Sequence, residues 1–237
     1  MRQSPQCAIA LMARAPTAPG KTRLAPHLSD ERLRSLRTAL LVDVLRVAEA
    51  LDGIERYLFF TPDEAAPEMA ALAGGAFTLG PQRGADLGLR MRSAFEELLI
   101  ERGYQSAILI GSDIPMLTVA HLEAARDRLR AADDLVLGPA DDGGYYLIGL
   151  RTSESRLFEA IEWGSSRVFS DTVQIAERLG LTPQIVQSAY DIDTMKDLRR
   201  LERDLTTAPL DVAPHTRDWL RQAERDGIER LKKSPSS

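Results

Sequence analysis

The chain has 237 residues, 30 basic against 35 acidic side chains, a formal net charge of −5, and 44% hydrophobic residues. This composition supports a full buried core and excludes both a disordered chain and a broad nucleic-acid surface. One cysteine (Cys7), three scattered histidines and no long apolar run exclude a disulfide framework, a Cys-rich zinc centre and a membrane span, so a soluble cytoplasmic protein is expected.

Residues 7–13 form an apolar strand pattern, followed by a Pro- and Gly-rich loop to Pro26. Ser29 is placed to cap a helix over 30–51, in which Leu33, Leu36, Leu40, Leu41, Val44, Leu45 and Val47 recur at helical spacing. Strands at 57–60 and 76–79 flank a helix at 65–73 that ends on Gly74-Gly75. The alternation continues with a helix at 86–102, a strand at 107–110, a helix at 119–131, and strands at 135–137 and 145–150. A helix at 168–179, a strand at 184–186 and a helix at 195–205 complete it. Buried strands alternating with helices predict an α/β doubly wound, mostly parallel sheet with ligands at the carboxyl ends of its strands. The stretch 208–214 reads as a linker, 217–233 as a polar helix, and 232–237 as a frayed tail.

The loop after the first strand ends in Gly20-Lys21-Thr22, the close of a phosphate-binding P-loop. Ala15 stands where that motif needs glycine, Pro16 and Pro19 offer no N–H, and Pro26 interrupts the helix that should follow. The basic residues Arg14, Lys21 and Arg23 remain candidates for polyphosphate contact from the strand's carboxyl end. Solvated loop cations would read the same way.

Asp113, in Gly111-Ser-Asp-Ile-Pro115, follows a buried strand and is suited to Mg²⁺ or Mn²⁺, whose ligands are oxygens. Asp191 and Asp193 lie two apart in an extended segment, on one side, although Asp193 could instead cap the helix at 195. Gln82, Gly84, Asp86 and Gly88 lead into a helix N-terminus that could meet a base or phosphate; Asp86 fits an ordinary cap equally well. In Asp141-Asp142-Gly143-Gly144-Tyr145, backbone can approach a ligand with a carboxylate facing it, though a hairpin turn also accounts for Asp-Gly. Trp163 belongs to a loop that could close over an acceptor or to the core.

Taken in order, Ala13-Arg-Ala-Pro16, Lys21-Thr-Arg-Leu-Ala-Pro26, Gln82–Gly88, Ile110–Pro115, Gly138–Gly149, Trp163 and Asp191-Ile-Asp-Thr194 resemble the GT-A-type nucleotide-diphospho-sugar transferase superfamily. The nearest resemblance is to a bacterial branch named for an arsenosugar-biosynthesis glycosyltransferase, related to 2-phospho-lactate guanylyltransferase. It covers residues 7–205 as one nucleotide-binding transferase domain and leaves 206–237 as a helical extension. The resemblance implies a Rossmann-like three-layer fold, with Asp113 and Asp193 at a metal, and Lys21 and Arg23 on phosphates. It also implies that Asp141–Gly144 lines the acceptor side. Arg14 stands where the family has lysine, the loop to Lys21 is one residue shorter, and Met195 replaces a proline.

The expected reaction is metal-dependent transfer from an activated nucleotide to a small-molecule acceptor, with Asp113 catalytic and Asp142 the candidate base. Glycosyl transfer from a nucleotide sugar is the leading expectation. Nucleotidyl transfer from a nucleoside triphosphate, with pyrophosphate released, is the alternative. A P-loop phosphotransferase and a non-catalytic nucleotide-binding protein are the rivals from other classes. A homo-oligomer is compatible with the sequence.

Overall fold

Side-chain alternation along the first strand, β1 (Ala8–Arg14), sets the architecture. Ile9, Leu11 and Ala13 enter one apolar cluster and Ala8 and Ala10 another, so both faces of the strand are covered. The computed structural model describes residues 6–225. Around β1 lie β2 (Glu55–Thr61), β3 (Thr78–Pro81), β4 (Ala107–Ile110), β5 (Leu135–Pro139), β6 (Tyr145–Leu150) and β7 (Pro183–Ile185). They form a seven-stranded sheet in the order β3-β2-β1-β4-β6-β5-β7. Only β6 runs antiparallel to its neighbours.

The helices are α1 (Asp30–Glu49), α2 (Ala66–Ala73), α3 (Leu87–Phe95), α4 (Val119–Arg130), α5 (Val168–Arg178), α6 (Met195–Thr207) and α7 (Pro214–Arg225). Leu41, Val44, Met69 and Leu122 from α1, α2 and α4 cover one face of the sheet. Phe95 of α3 and Ala176 of α5 cover the other. This is the expected three-layer, mostly parallel α/β fold. β3 begins two residues later than its pattern suggests. The helix expected over 86–102 becomes π-helical at Glu96–Glu101.

The outer side of α1 is also apolar. Leu33, Leu36 and Leu40 join Leu198 and Leu201 of α6 and Leu220 and Ala223 of α7 in a third cluster. Asp43, buried on α1, accepts hydrogen bonds from the His215 and Thr216 amides at 3.0 and 2.8 Å and from the Thr216 hydroxyl at 2.6 Å. A carboxylate from one helix thereby satisfies the free amides at the start of another. The helix expected at 217–233 starts earlier, at Pro214; its continuation beyond 225 and the tail at 232–237 lie outside the described residues.

The reversed β6 positions the site. Because β6 is antiparallel to β4, with Leu147 opposite Ile110, its first residues lie beside the carboxyl end of β4. The β5–β6 turn therefore reaches the same edge of the sheet as the ends of β1 and β4.

Candidate functional site

A cleft of about 460 Å³ opens along that edge, within the size range of small-molecule sites. Its floor is Met12, Leu109 and Ile110. Asp113, Asp191 and Asp193 line the cleft, together with Gln82, Arg90 and Met91 and with Asp142, Tyr145 and Trp163. Gln82 ties the ends of two strands together, donating to the carbonyls of Ala13 and Phe59 at 3.0 Å each.

The loop after β1 does not form a phosphate cradle. Residues 22–27 are turns, where a P-loop would begin its helix. The loop's carbonyls face inward to Arg37 of α1, whose guanidinium donates to Pro16 and Ala15 at 2.8 Å each, to Arg14 at 3.4 Å, and to Ala18. Burial lowers the Arg37 pKa from its ordinary value, and Arg14 nearby pushes the same way against Asp113. The clamp delivers Lys21, in the left-handed backbone region at φ 54°, into the cleft lining.

There the Lys21 ammonium donates to Asp113 Oδ2 at 2.7 Å and to Asp193 Oδ1 at 2.9 Å. Its side chain is 4% exposed, whereas those of the aspartates are 40% and 43% exposed. Burial pulls the lysine pKa down, but the two carboxylates outweigh it and hold the ammonium above its ordinary value. The two acidic loops are joined by the backbone, with Ile192 N–H donating to the Asp113 carbonyl at 3.1 Å. Asp193 does not cap α6. That role falls to Thr194, which accepts from Asp197 N at 3.3 Å, while Asp197 accepts from Thr194 N at 2.7 Å. Asp191 faces the cleft as well, and burial, with Asp193 and Asp142 nearby, raises its pKa to about 6.

This donor set fits a hard divalent ion. The carboxylates already converge on one cation, the Lys21 ammonium, and a third carboxylate stands beside them. No group of three or more His, Cys, Asp or Glu side chains arranged for a metal ion occurs among the described residues. Two carboxylates leave most of a Mg²⁺ or Mn²⁺ shell to other oxygens, which phosphates supply.

The other sequence candidates divide. Arg14 lines the cleft and donates to Pro19 O at 3.3 Å; Arg23 is exposed and outside the cleft lining. Asp86 caps α3, accepting from Leu89 N at 2.8 Å, and is not in the cleft lining. Gly84 and Gly88 are not in the cleft lining; Gly84 is exposed, and Gly88 packs against the Trp163 indole. Asp142 Oδ1 accepts from Gly144 N at 2.9 Å, and both residues line the cleft. Asp141 turns away to pair with Arg200. Gly143, at φ 91°, lies against the Ser166 carbonyl, so the hairpin turn supports the loop that carries Trp163.

Several residues that shape the site were not singled out in the sequence. Arg37 interrupts the apolar stripe of α1 four residues after Leu33 and four before Leu41, a pattern that marks a buried polar group. Arg200 lies 3.7 Å above the centroid of the Tyr190 ring, which holds the segment entering Asp191. Its spacing carries no such mark.

A family model described as "Uncharacterized protein conserved in bacteria (DUF2064)" matches residues 44–165. A phosphoenolpyruvate guanylyltransferase from Conexibacter woesei is 30% identical over 208 residues, 86% of this chain and 91% of that protein. A 2-phospho-L-lactate guanylyltransferase from Methanocaldococcus jannaschii is 29% identical over 81% of this chain and 82% of its own. Among solved structures, a Desulfovibrio desulfuricans G20 protein with a provisional nucleotide-diphospho-sugar transferase designation superimposes at TM-score 0.86 and 28% identity. It covers 97% of this chain and 99% of its own. A cytidylyltransferase from Leptospira borgpetersenii shares the fold at TM-score 0.57 and 13% identity, covering 98% of this chain and 99% of its own.

Proposed function

Because the chain belongs to the DUF2064 family and is homologous to guanylyltransferases, which makes it a transferase, we propose that it is a metal-dependent nucleotidyltransferase. It would transfer a nucleoside monophosphate from a triphosphate, GTP by analogy with the relatives, to a small phosphorylated acceptor. The convergence of Asp113, Asp193 and Lys21 on one point of a nucleotide-sized cleft carries this reading. Glycosyl transfer, the leading expectation from the sequence, is supported less well, because the curated relatives above are guanylyltransferases.

Asp113 and Asp193 are the residues that would hold Mg²⁺ or Mn²⁺, which when bound neutralises triphosphate charge and favours departure of pyrophosphate. Arg14 and Arg90 face the cleft and add positive charge along the phosphates. An acceptor phosphate oxygen attacks the α-phosphorus, and the bond to the bridging oxygen of pyrophosphate breaks. A phosphate monoester is largely ionised near neutral pH, its second pKa being about 6, so it needs no general base. Asp142 then orients the acceptor from the hairpin turn and does not remove a proton.

The test pairs each common nucleoside triphosphate with phosphoenolpyruvate or 2-phospho-L-lactate, with Mn²⁺, and measures pyrophosphate. The expected result is pyrophosphate formation that falls at least about 100-fold in Asp113→Asn, the scale of losing a transition-state charge contact. Release of a nucleoside diphosphate from a nucleotide sugar, with no pyrophosphate from any triphosphate, would overturn the proposal. Asp142→Asn should keep kcat within about tenfold, whereas a hydroxyl acceptor that needs a base would lose about 100-fold or more.

A further inference from the structure

Lys21 occupies the point on which the site's carboxylates converge. Its ammonium lies 2.7 and 2.9 Å from Asp113 and Asp193, its side chain is almost wholly buried, and its backbone is held in the left-handed region. Two features of the loop maintain that placement. Arg37 grips the carbonyls before it, and the turns at Leu24 and Ala25 return their amides to the Lys21 carbonyl at 2.9 and 3.2 Å. An arriving divalent ion and this ammonium compete for the same two oxygens. An arriving polyphosphate attracts both cations.

We infer that Lys21 is the resident counter-ion of the Asp113–Asp193 pair and couples the two ligands: the divalent ion enters with the polyphosphate, which draws the ammonium off the carboxylates. The charge arithmetic supports the exchange. With Lys21 in place the aspartate pair carries one net negative charge; with Lys21 on a phosphate it carries two, against an ion of charge two. Two carboxylates without a cation between them repel one another, so the site does not stand open in the absence of ligand. Metal and polyphosphate affinities are then linked, each raising the other by the same factor.

The identity of the incoming anion as a nucleoside triphosphate rests on the proposed function; the exchange itself requires only a polyphosphate. The experiment titrates full-length protein with MnCl₂ and follows the free Mn²⁺ signal by electron paramagnetic resonance, alone, with GTP, and with inorganic triphosphate. Wild type should bind Mn²⁺ weakly alone and at least about tenfold more tightly with either anion, after correction for Mn²⁺ held by the anion in solution. Lys21→Met should bind Mn²⁺ alone at least about tenfold more tightly than wild type and show little further gain with triphosphate. Lys21→Arg, which keeps the charge, should stay near wild type in Mn²⁺ binding alone.

Equal Mn²⁺ affinity in wild type with and without polyphosphate overturns the inference, as does a folded Lys21→Met variant that binds Mn²⁺ no better than wild type. Lys21→Gln, which removes the charge and keeps a polar side chain, carries the same comparison if Lys21→Met does not fold. Failure of the nucleotidyltransferase reading has a different signature: inorganic triphosphate promotes Mn²⁺ binding, but no triphosphate yields pyrophosphate with any acceptor.

Discussion

At the scale of single residues, Arg37 is the structural keystone of the site, although it sits on a helix that faces the core. Its guanidinium donates to four carbonyls of the loop after β1, those of Arg14, Ala15, Pro16 and Ala18. Arg37→Met should cost about 2–4 kcal/mol in urea unfolding, because it leaves buried acceptors unpaired. Arg37→Lys should recover part of that loss, since an ammonium cannot span the same set. His121 offers a pH-dependent case. Its Nδ1 accepts from Thr118 N at 3.3 Å and faces the Thr118 hydroxyl at 2.7 Å, and burial lowers its pKa from 6.5. Folding therefore disfavours the protonated imidazole, and this contribution is full above about pH 6.5 and lost as pH falls below it. The urea midpoint should drop between pH 7 and pH 5, with a smaller drop in His121→Gln. The acidic residues of the site were legible because each follows a strand or lies in an extended segment. The Lys21 contact was not, since it joins positions 92 and 172 residues apart through an irregular loop held largely by tertiary contacts, those of Arg37 among them.

At the scale of elements, the strands were readable because buried strands form short apolar runs, and their boundaries moved by only a few residues. The direction of β6 was marked only by Asp142-Gly143, which reads as a hairpin turn or as a ligand-facing loop; composition is silent, because an antiparallel strand buried on both faces looks like a parallel one. That direction decides which end of the hairpin joins the site. The turn is held by Gly143, where a side chain would require a left-handed backbone and would overlap the Ser166 carbonyl. Gly143→Ala should therefore displace the Trp163 loop, visible as a change in tryptophan fluorescence, and cost about 1–3 kcal/mol. Gly88→Ala meets the Trp163 indole directly, whereas Gly143→Ala acts on the same loop through Ser166, so the two substitutions should not be additive.

At the scale of the whole molecule, three apolar clusters hold four layers together: a sheet, helices on each face, and an outer pair, α6 and α7, on α1. Among the described residues, no helix is long and apolar enough to cross a membrane. The polar composition read over 217–233 hid the docking of α7, because the anchoring group, Asp43, is itself polar and lies on another helix. Asp43→Ala should cost about 2–4 kcal/mol and raise hydrogen exchange in α7 before the sheet is affected. The Asp43–Thr216 contact also bears on the order of synthesis. Its partners lie 173 residues apart, so at about 5–20 residues per second a ribosome exposes the Leu36–Leu40 stripe of α1 for roughly ten seconds or more before α7 arrives. The chain therefore carries its own delayed cover for α1, and a pause late in translation would prolong the interval in which that stripe is open to other hydrophobic surfaces.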